Sequence, residues 1–227
     1  MIRVNGIHHI AIMASDIKKH VEFFSDVLGC RLAAIFDMHG VKGAYHAFMH
    51  LNDHCYFSIV QMDQVADLEV EIGKTHAGTG LGVSAPGTMQ HLAFNVDSDE
   101  ELLAIRDRIR SRGVNVIGPI EHGICASIYF AGPDQLTLEV ATSSDAINAE
   151  AWIDPKVLAE VGIAEEEAER YRNPDAYAGE GGAVSQPPYD PEKPHQAYPD
   201  EVYQRMLSLS DGAIAASANH SEPPVKV

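Results

Sequence analysis

The fold is decided by the stretch Gly6-Ile7-His8-His9-Ile10-Ala11-Ile12, which has the apolar alternation of a β-strand yet carries two adjacent histidines. The later stretch Met89-Gln90-His91-Leu92-Ala93-Phe94 repeats the pattern, so that His91 stands where His9 stands in the first copy. Each copy leads into a segment whose apolar residues have helical spacing. A repeat of this kind indicates internal duplication of one structural unit.

The two helical segments have recognisable ends. The first runs over 16–28 and stops at Gly29, a residue suited to the left-handed position after a helix. The second opens with the capping-box pattern Ser98-Asp99-Glu100-Glu101 and stops at Gly113. Three strand-like runs follow each helix: 31–37, 44–51 and 55–61, then 114–120, 124–130 and 136–142. The sequence therefore predicts an α+β protein of two βαβββ modules, at about 4–65 and 88–143, within a domain spanning 1–145.

Composition excludes several classes of partner. The 227 residues include 16 Lys and Arg against 33 Asp and Glu, a net charge of -17 that repels nucleic acid and anionic membranes. No secretory signal pattern and no apolar run of roughly 20 residues is visible, so a cytoplasmic protein is expected. Cys30, Cys55 and Cys125 are widely spaced and odd in number, which favours neither a disulfide framework nor a thiolate zinc site.

Side-chain alternation predicts that three polar residues share the inner side of the sheets. In the opening strands, His9 and His91 lie on the face opposite the branched and aromatic residues that should cover the helices. In the last strand, Glu139 lies opposite Leu138 and Val140. Two imidazoles and one carboxylate would therefore point into a space that the helices do not fill.

This donor set is typical of an open metal centre. Two histidines and a carboxylate leave coordination positions vacant, a pattern that favours non-heme Fe(II), whereas a structural zinc site uses four protein ligands. The alternative is that His9 and His91 are core histidines bonded to backbone and that Glu139 lies at a strand edge. An inward glutamate without a cation would cost several kcal/mol in desolvation, which favours the metal.

The same residues carry a family resemblance. The runs His9-Ile10-Ala11-Ile12, His91-Leu92-Ala93-Phe94 and Leu138-Glu139, with Phe23-Phe24 and Leu28-Gly29 in the first helix, resemble the vicinal oxygen chelate superfamily. That superfamily includes glyoxalases, methylmalonyl-CoA epimerases, fosfomycin-resistance enzymes and type I extradiol dioxygenases. The resemblance covers residues from about 4 to 143. It implies a cup-shaped mixed sheet around a divalent metal that is held by His9, His91 and Glu139.

The segment 120–139 narrows the resemblance to the extradiol dioxygenases. His122, Tyr129 and Glu139 fall in the places that their signature permits, while Gly132 and Gln135 depart from it. The resemblance implies Fe(II)-dependent cleavage of a catechol-like aromatic substrate by O2, with Mn(II), Co(II), Ni(II) or Zn(II) as other possible ions. In this chemistry Tyr129 would hydrogen-bond a catecholate oxygen, and His122 would position or protonate oxygen-bearing groups.

Four further residues are predicted to contact the substrate. Tyr56 stands where the dioxygenases carry a second-shell catalytic histidine, and His54 lies two residues earlier, expected on the same strand face. His46 and His50 alternate along the preceding strand. They line the pocket in one interpretation and face water in the other.

Two other functions of the superfamily stay open. Epimerases and glyoxalases of this superfamily use the metal as a Lewis acid for an enolate and take a fourth ligand near the position of Gln61. Gln61 shares its strand face with Phe57 and Ile59, so we expect it to point towards the helix and away from the metal. Small-molecule binding proteins of the bleomycin-resistance kind form the third class, but they commonly lack the ligands.

Two segments outside the strands complete the interpretation. The glycine-rich run over 77–87 is expected to form a mobile loop that could cover the site. The C-terminal extension, 146–227, is predicted to hold a helix over 155–172, an extended Pro- and Tyr-rich arm over 173–199 and a helix over 201–209. Residues after Ile214 are expected to be disordered. We expect the arm to mediate homo-oligomer formation by wrapping a neighbouring subunit; the alternatives are that it wraps its own domain or partly closes the metal cup.

Overall fold

The computed structural model of the protein describes residues 3–226 and consists of eight strands and seven α-helices within them. The first module contains β1 (His9–Met13), α1 (Ile17–Asp26), β2 (Arg31–Asp37), β3 (Ala44–Asn52) and β4 (Cys55–Met62). The second contains β5 (Leu92–Asn95), α2 (Asp99–Ser111), β6 (Ile117–Glu121), β7 (Ala126–Ala131) and β8 (Thr137–Thr142). The predicted α+β class is thereby confirmed.

The two modules have the same sheet topology. The strand orders are β1-β4-β3-β2 and β5-β8-β7-β6, each with one parallel pair, β1 with β4 and β5 with β8. The remaining neighbours pair antiparallel, so both sheets are mixed. The internal duplication inferred from the two histidine stretches is confirmed at the level of whole sheets.

Helix capping explains why α1 and α2 begin where they do. The Asp16 side chain accepts a hydrogen bond from the Lys19 amide at the start of α1. At α2 the Ser98 hydroxyl accepts from the Glu101 amide, and the Glu101 carboxylate accepts from the amide of Asp97. In a capping box the second bond comes from the amide of the capping residue, here Ser98. In this helix it comes from Asp97, one residue earlier, so the arrangement is a close variant of the predicted capping box.

Several strands of the second module begin later than predicted, and β6 starts at Ile117 and not at Val114. The turn over 122–125 is closed by a hydrogen bond from the His122 amide to the Cys125 carbonyl, so β7 starts at Ala126 and not at Ile124. Strand β5 starts at Leu92, which leaves His91 directly before the strand.

One apolar core joins the two modules. Phe24 of α1 and Phe57 of β4 are both fully buried, and their ring centroids lie 4.2 Å apart. Phe94 of β5 contacts both, with centroids 6.2 Å from Phe24 and 5.8 Å from Phe57. The modules are therefore expected to unfold together.

A polar clasp also links the modules. Asp134, between β7 and β8, accepts hydrogen bonds of 2.7 Å from both the amide and the hydroxyl of Ser15. Its carboxylate also lies 3.4 Å from Nε2 of His20, which is 1% exposed. Nδ1 of His20 lies 3.0 Å from the Asp16 carbonyl, to which it donates, so the neutral ring would present an unprotonated Nε2 to the carboxylate.

We expect Asp134→Ala to lower the free energy of unfolding by about 1–3 kcal/mol, because it removes both acceptors from Ser15 and takes away the carboxylate beside the buried His20 ring. Urea denaturation at neutral pH measures the change. Asp26→Ala removes an exposed carboxylate at the end of α1 and should alter stability by less than about 0.5 kcal/mol. Equal midpoints for the two variants would show that the clasp contributes nothing.

The compact unit that contains both modules extends over Gly6–Glu169, further than the predicted boundary at 145. It includes α3 (Ala149–Trp152), α4 (Pro155–Glu160) and most of α5 (Glu165–Arg172). The ring of Trp152 lies against Gly123 in the turn before β7, so closely that a Cβ there would come within 2.7 Å of it. This contact attaches the segment after β8 to the second module.

The other compact unit contains the remaining described residues, chiefly 170–226. The predicted helix over 155–172 is divided into α4 and α5, with Gly162 between them at a positive φ of 78°. α6 (Asp200–Ser208) lies close to its predicted range. The prediction of disorder after Ile214 is wrong as far as Ala218, because Ser210 caps a further helix, α7 (Asp211–Ala218). Within residues 3–226, no helix has the length and apolar character needed to cross a bilayer.

Candidate metal centre

His91 and Glu139 meet on the inner side of the second sheet. Glu139 lies on β8 between Leu138 and Val140, which are buried in the core, and its own side chain is only 6% exposed. His91 Nε2 lies 2.9 Å from the Glu139 carboxylate, and 35% of the histidine side chain is exposed. The pair therefore combines a buried carboxylate with an imidazole that solvent can reach.

The neighbouring residue fixes which nitrogen of His91 carries the proton. The amide nitrogen of Gln90 contacts the three backbone carbonyls of Thr79, Gly80 and Gly82, at 3.2, 3.0 and 3.1 Å. Those acceptors define the orientation of the amide, so its oxygen faces Nδ1 of His91 in a short hydrogen bond. Because the amide oxygen can only accept, Nδ1 of His91 must donate.

A positive charge is then required between His91 and Glu139. With the proton on Nδ1, neutral His91 presents a lone pair at Nε2 to a carboxylate that is also an acceptor. Either a second proton on the ring or a bound cation relieves this contact. Two ligands that bind one divalent ion at about 2.1 Å and at a right angle lie about 3 Å apart, so the pair fits two adjacent coordination positions.

The third predicted ligand does not join this pair within the chain. His9 lies exposed on β1, with its Nδ1 3.0 Å from Nδ1 of His8 and its ring 5.7 Å from that of Phe48. Within residues 3–226 there is no group of three or more His, Cys, Asp or Glu side chains that could hold a metal ion. A cleft of about 420 Å³ lies between β1 and β4 on one side and β5 on the other. The three-ligand centre therefore stays a prediction.

Tyr129 and His122 lie next to the His91–Glu139 pair. Tyr129 is the direct β7 partner of Glu139 in the sheet, and its ring centroid lies 6.4 Å from that of His91. The Tyr129 hydroxyl lies 2.9 Å from Nε2 of His122. Burial raises the pKa of the Tyr129 phenol above its ordinary value, and the Glu139 carboxylate adds to the rise. The phenol is therefore a proton donor at neutral pH.

Three of the four predicted substrate residues lie on the inner side of the first sheet. His46 contacts the Ser58 hydroxyl, and burial lowers its pKa below the ordinary value, with His9 and His39 adding to the effect. His50 pairs with Tyr56 across β3 and β4, and their ring centroids lie 5.7 Å apart. This face is aromatic and separate from the His91–Glu139 pair.

The fourth predicted substrate residue, His54, is not on a strand. It lies exposed in the turn between β3 and β4, where its amide donates to the Asn52 side chain. The prediction that it shares a strand face with Tyr56 is wrong, because the chain reverses at Asp53 and His54 and β4 begins at Cys55.

Gln61 has a structural partner on the helix side of the sheet. Its side-chain oxygen accepts a hydrogen bond of 2.7 Å from the amide of Ile17 at the start of α1. The expectation that Gln61 points away from the inner face is confirmed. Its oxygen is therefore used at a helix end on the side of the sheet away from the inner face.

A larger cavity of about 540 Å³ lies away from the His91–Glu139 pair. It is bordered by the start of α2, the turn before β7 and the segment after β8, with Trp152 on one wall. Its lining includes several carboxylates and none of the predicted metal ligands. Cavity size alone therefore does not locate the chemistry in this protein.

The two mixed βαβββ sheets and the inward His–Glu pair define a class of protein: a duplicated α+β fold with residues suited to divalent-metal binding. The family comparison agrees. The chain matches the Glyoxalase/Bleomycin resistance protein/Dioxygenase superfamily over residues 6–140, and it belongs to that superfamily.

The solved structures to which the chain is similar share little sequence with it. A glyoxylase/bleomycin resistance protein/dioxygenase domain from Frankia sp. EAN1pec is 14% identical, with 62% of this chain and 99% of that chain covered and a TM-score of 0.49. The antibiotic binding protein TnmS3 from Streptomyces sp. CB03234 is 19% identical, with coverage of 63% and 100% and a TM-score of 0.45. The fosfomycin resistance protein FosX from Listeria monocytogenes is 21% identical, with coverage of 62% and 95% and a TM-score of 0.42.

Proposed function

We propose that the protein is a metal-dependent enzyme that cleaves a catechol-like ring with O2, using a divalent ion held by His91 and Glu139. His9 is proposed as the third ligand. The observation that carries the proposal is the contact between two acceptors, His91 Nε2 and the Glu139 carboxylate, which calls for a cation between them. Fe(II) is the proposed ion because two histidines and a carboxylate with open positions suit it.

The residues around the pair are suited to substrate and proton handling. The Tyr129 phenol, protonated at neutral pH, can donate a hydrogen bond to a catecholate oxygen. His122 Nε2 lies 2.9 Å from the same hydroxyl and can take or return a proton there. If His9 completes the site, the aromatic inner face of the first sheet beside it, with Phe48 and Tyr56 in contact, offers apolar surface to a planar ring. A bound Fe(II) would supply the activation of O2.

Metal reconstitution tests the reaction class. Protein prepared without metal is loaded anaerobically with Fe(II), Mn(II), Co(II), Ni(II) or Zn(II), and O2 consumption is followed over a panel of catechols. Uptake that requires a redox-active ion, above all Fe(II), supports the dioxygenase. Proton exchange in an acyl-CoA or thioester substrate with Co(II) or Ni(II), and no O2 uptake, would replace it with the epimerase or glyoxalase class. Tight ligand binding without turnover would indicate a resistance-type binding protein.

In the active metal form, we expect Tyr129→Phe to lower kcat by about 10²-fold or more with the bound metal unchanged. The substitution removes a proton donor and leaves both ligands in place. Steady-state kinetics and metal analysis measure the two quantities separately. Tyr45→Phe makes the same chemical change on β3 at a side chain that is 43% exposed, and it should be silent. Full activity of the Tyr129 variant would remove this residue from the mechanism.

A further inference from the structure

The glycine-rich loop over 77–87 is wound tightly around its own backbone. The Gly82 amide donates to the Thr79 carbonyl at 3.0 Å. A Cβ at Gly82 would lie 1.9 Å from the Ala77 carbonyl oxygen, so no larger residue fits there without a change in the loop. In this compact conformation, three of the loop carbonyls converge on a single side chain.

This compact loop lies over the candidate site. A Cβ at Gly80 would lie 3.4 Å from the ring of Tyr129, which places the loop backbone directly against that ring. Tyr129 also contacts His91 and pairs with Glu139. In this conformation the loop lies against one edge of the Tyr129 ring and is joined to His91 through Gln90.

Gln90 connects the loop to the metal pair through one amide group. Its nitrogen holds the carbonyls of Thr79, Gly80 and Gly82, and its oxygen accepts the proton of His91 Nδ1. An amide nitrogen has two hydrogens, so one of them is shared between two of the three carbonyls. The planar amide fixes both ends at once, because it cannot turn its oxygen away from His91 without losing the loop carbonyls.

We propose that Gln90 is a positioning residue that couples closure of the 77–87 loop over Tyr129 to the tautomer of His91. The inference rests on the proposed function only in assigning His91 Nε2 to the metal. With the loop closed, the amide holds the His91 proton on Nδ1 and leaves Nε2 free for the ion. With the loop open, the amide is released and the ring can take the other tautomer, whose Nε2 carries the proton. Metal binding at Nε2 would thus favour the closed loop, and closure of the loop would favour metal binding.

Two substitutions separate the two ends of the amide. Gln90→Leu removes both functions, whereas Gln90→Glu keeps an acceptor for His91 Nδ1 and loses the donor to the loop. In metal-free protein, at a pH at which the imidazole is neutral, the nitrogen shifts of His91 measured by NMR report its tautomer, and hydrogen exchange of the Gly82 amide reports loop closure. We expect the leucine variant to lose the Nδ1–H tautomer and to exchange at Gly82 about tenfold faster or more. The glutamate variant should keep the tautomer and lose the protection.

Gly82→Ala tests the coupling from the loop side, because it disturbs the loop by steric contact and leaves Gln90 unchanged. Faster exchange in the loop, together with a mixture of His91 tautomers, is the expected result. Gly6→Ala is the control, since a Cβ there meets nothing within 4 Å. A uniform Nδ1–H tautomer in both Gly82→Ala and Gln90→Leu would overturn the inference.

These measurements need neither metal nor substrate. If they give the expected results and the reconstituted protein consumes no O2, the coupling stands and the dioxygenase proposal fails. If O2 is consumed and the His91 tautomer is independent of Gln90, the dioxygenase proposal stands and the coupling fails.

Discussion

Replacing Glu139 by glutamine is expected to lower the affinity for divalent ions by about 10²-fold or more. Losing a residue that only supports a ligand typically costs 10–100-fold in metal affinity, and removal of a direct anionic ligand should cost at least the upper part of that range. Glu139 is the only carboxylate that contacts His91 Nε2 among the described ion pairs. Competition with a chromophoric chelator measures the affinity, with Co(II) absorption as a second readout.

The same substitution should leave the metal-free protein as stable as before, or make it more stable. A buried carboxylate that lacks its cation is costly, so the neutral amide removes an unfavourable charge. Glu100→Gln is the matched control, because it makes the same change at an exposed position in the first turn of α2. If Glu139→Gln binds metal as wild type does, or unfolds the metal-free protein, Glu139 is a structural residue and the proposed function falls.

His9 needs a separate test, because a cleft lies between its strand and that of His91. If His9 is a ligand, His9→Ala should weaken metal binding as Glu139→Gln does. An ion held by both modules takes His9 either from the same chain, after the modules approach each other, or from a second copy. Unfolding and refolding a 1:1 mixture of the two variants distinguishes these routes. A site shared between the copies of a dimer should recover about a quarter of the wild-type metal, and a site within one chain none.

The sequence was sufficient for those parts of the fold that follow local rules. Strand alternation placed Ile12 and Leu92 in the core and left the histidine side open, and both are buried as expected. The same rule predicted that Gln61 faces its helix, where it caps α1. Periods of 2 and 3.6 residues are properties of the backbone, so they can be read wherever a segment is long enough.

The remaining features depend on contacts that no local period encodes. Whether His9 approaches His91 depends on how two sheets lie side by side, and that position is set by the shared core and by the Ser15–Asp134 clasp. The attachment of Trp152 to the turn at Gly123 likewise extended the compact unit beyond the predicted boundary. Gln90 was also missed. Its position directly before a candidate ligand was the available signal, because a metal-binding histidine needs a partner for its other nitrogen.

The shared aromatic core leads to the largest expected effect on stability. Phe24→Ala should cost about 3–5 kcal/mol, because the ring is fully buried and its removal leaves a cavity against Phe57 and Phe94. Trp152, the only tryptophan, contacts the second module and reports on its unfolding by fluorescence. Since Phe24 belongs to the first module, a shift of the Trp152 transition by the full amount shows that one core stabilises both. Phe23→Ala, the same change at a half-buried neighbour, should cost less. The modules unfold independently if the Trp152 fluorescence transition is unchanged while the transition followed by far-ultraviolet circular dichroism shifts to lower denaturant concentration.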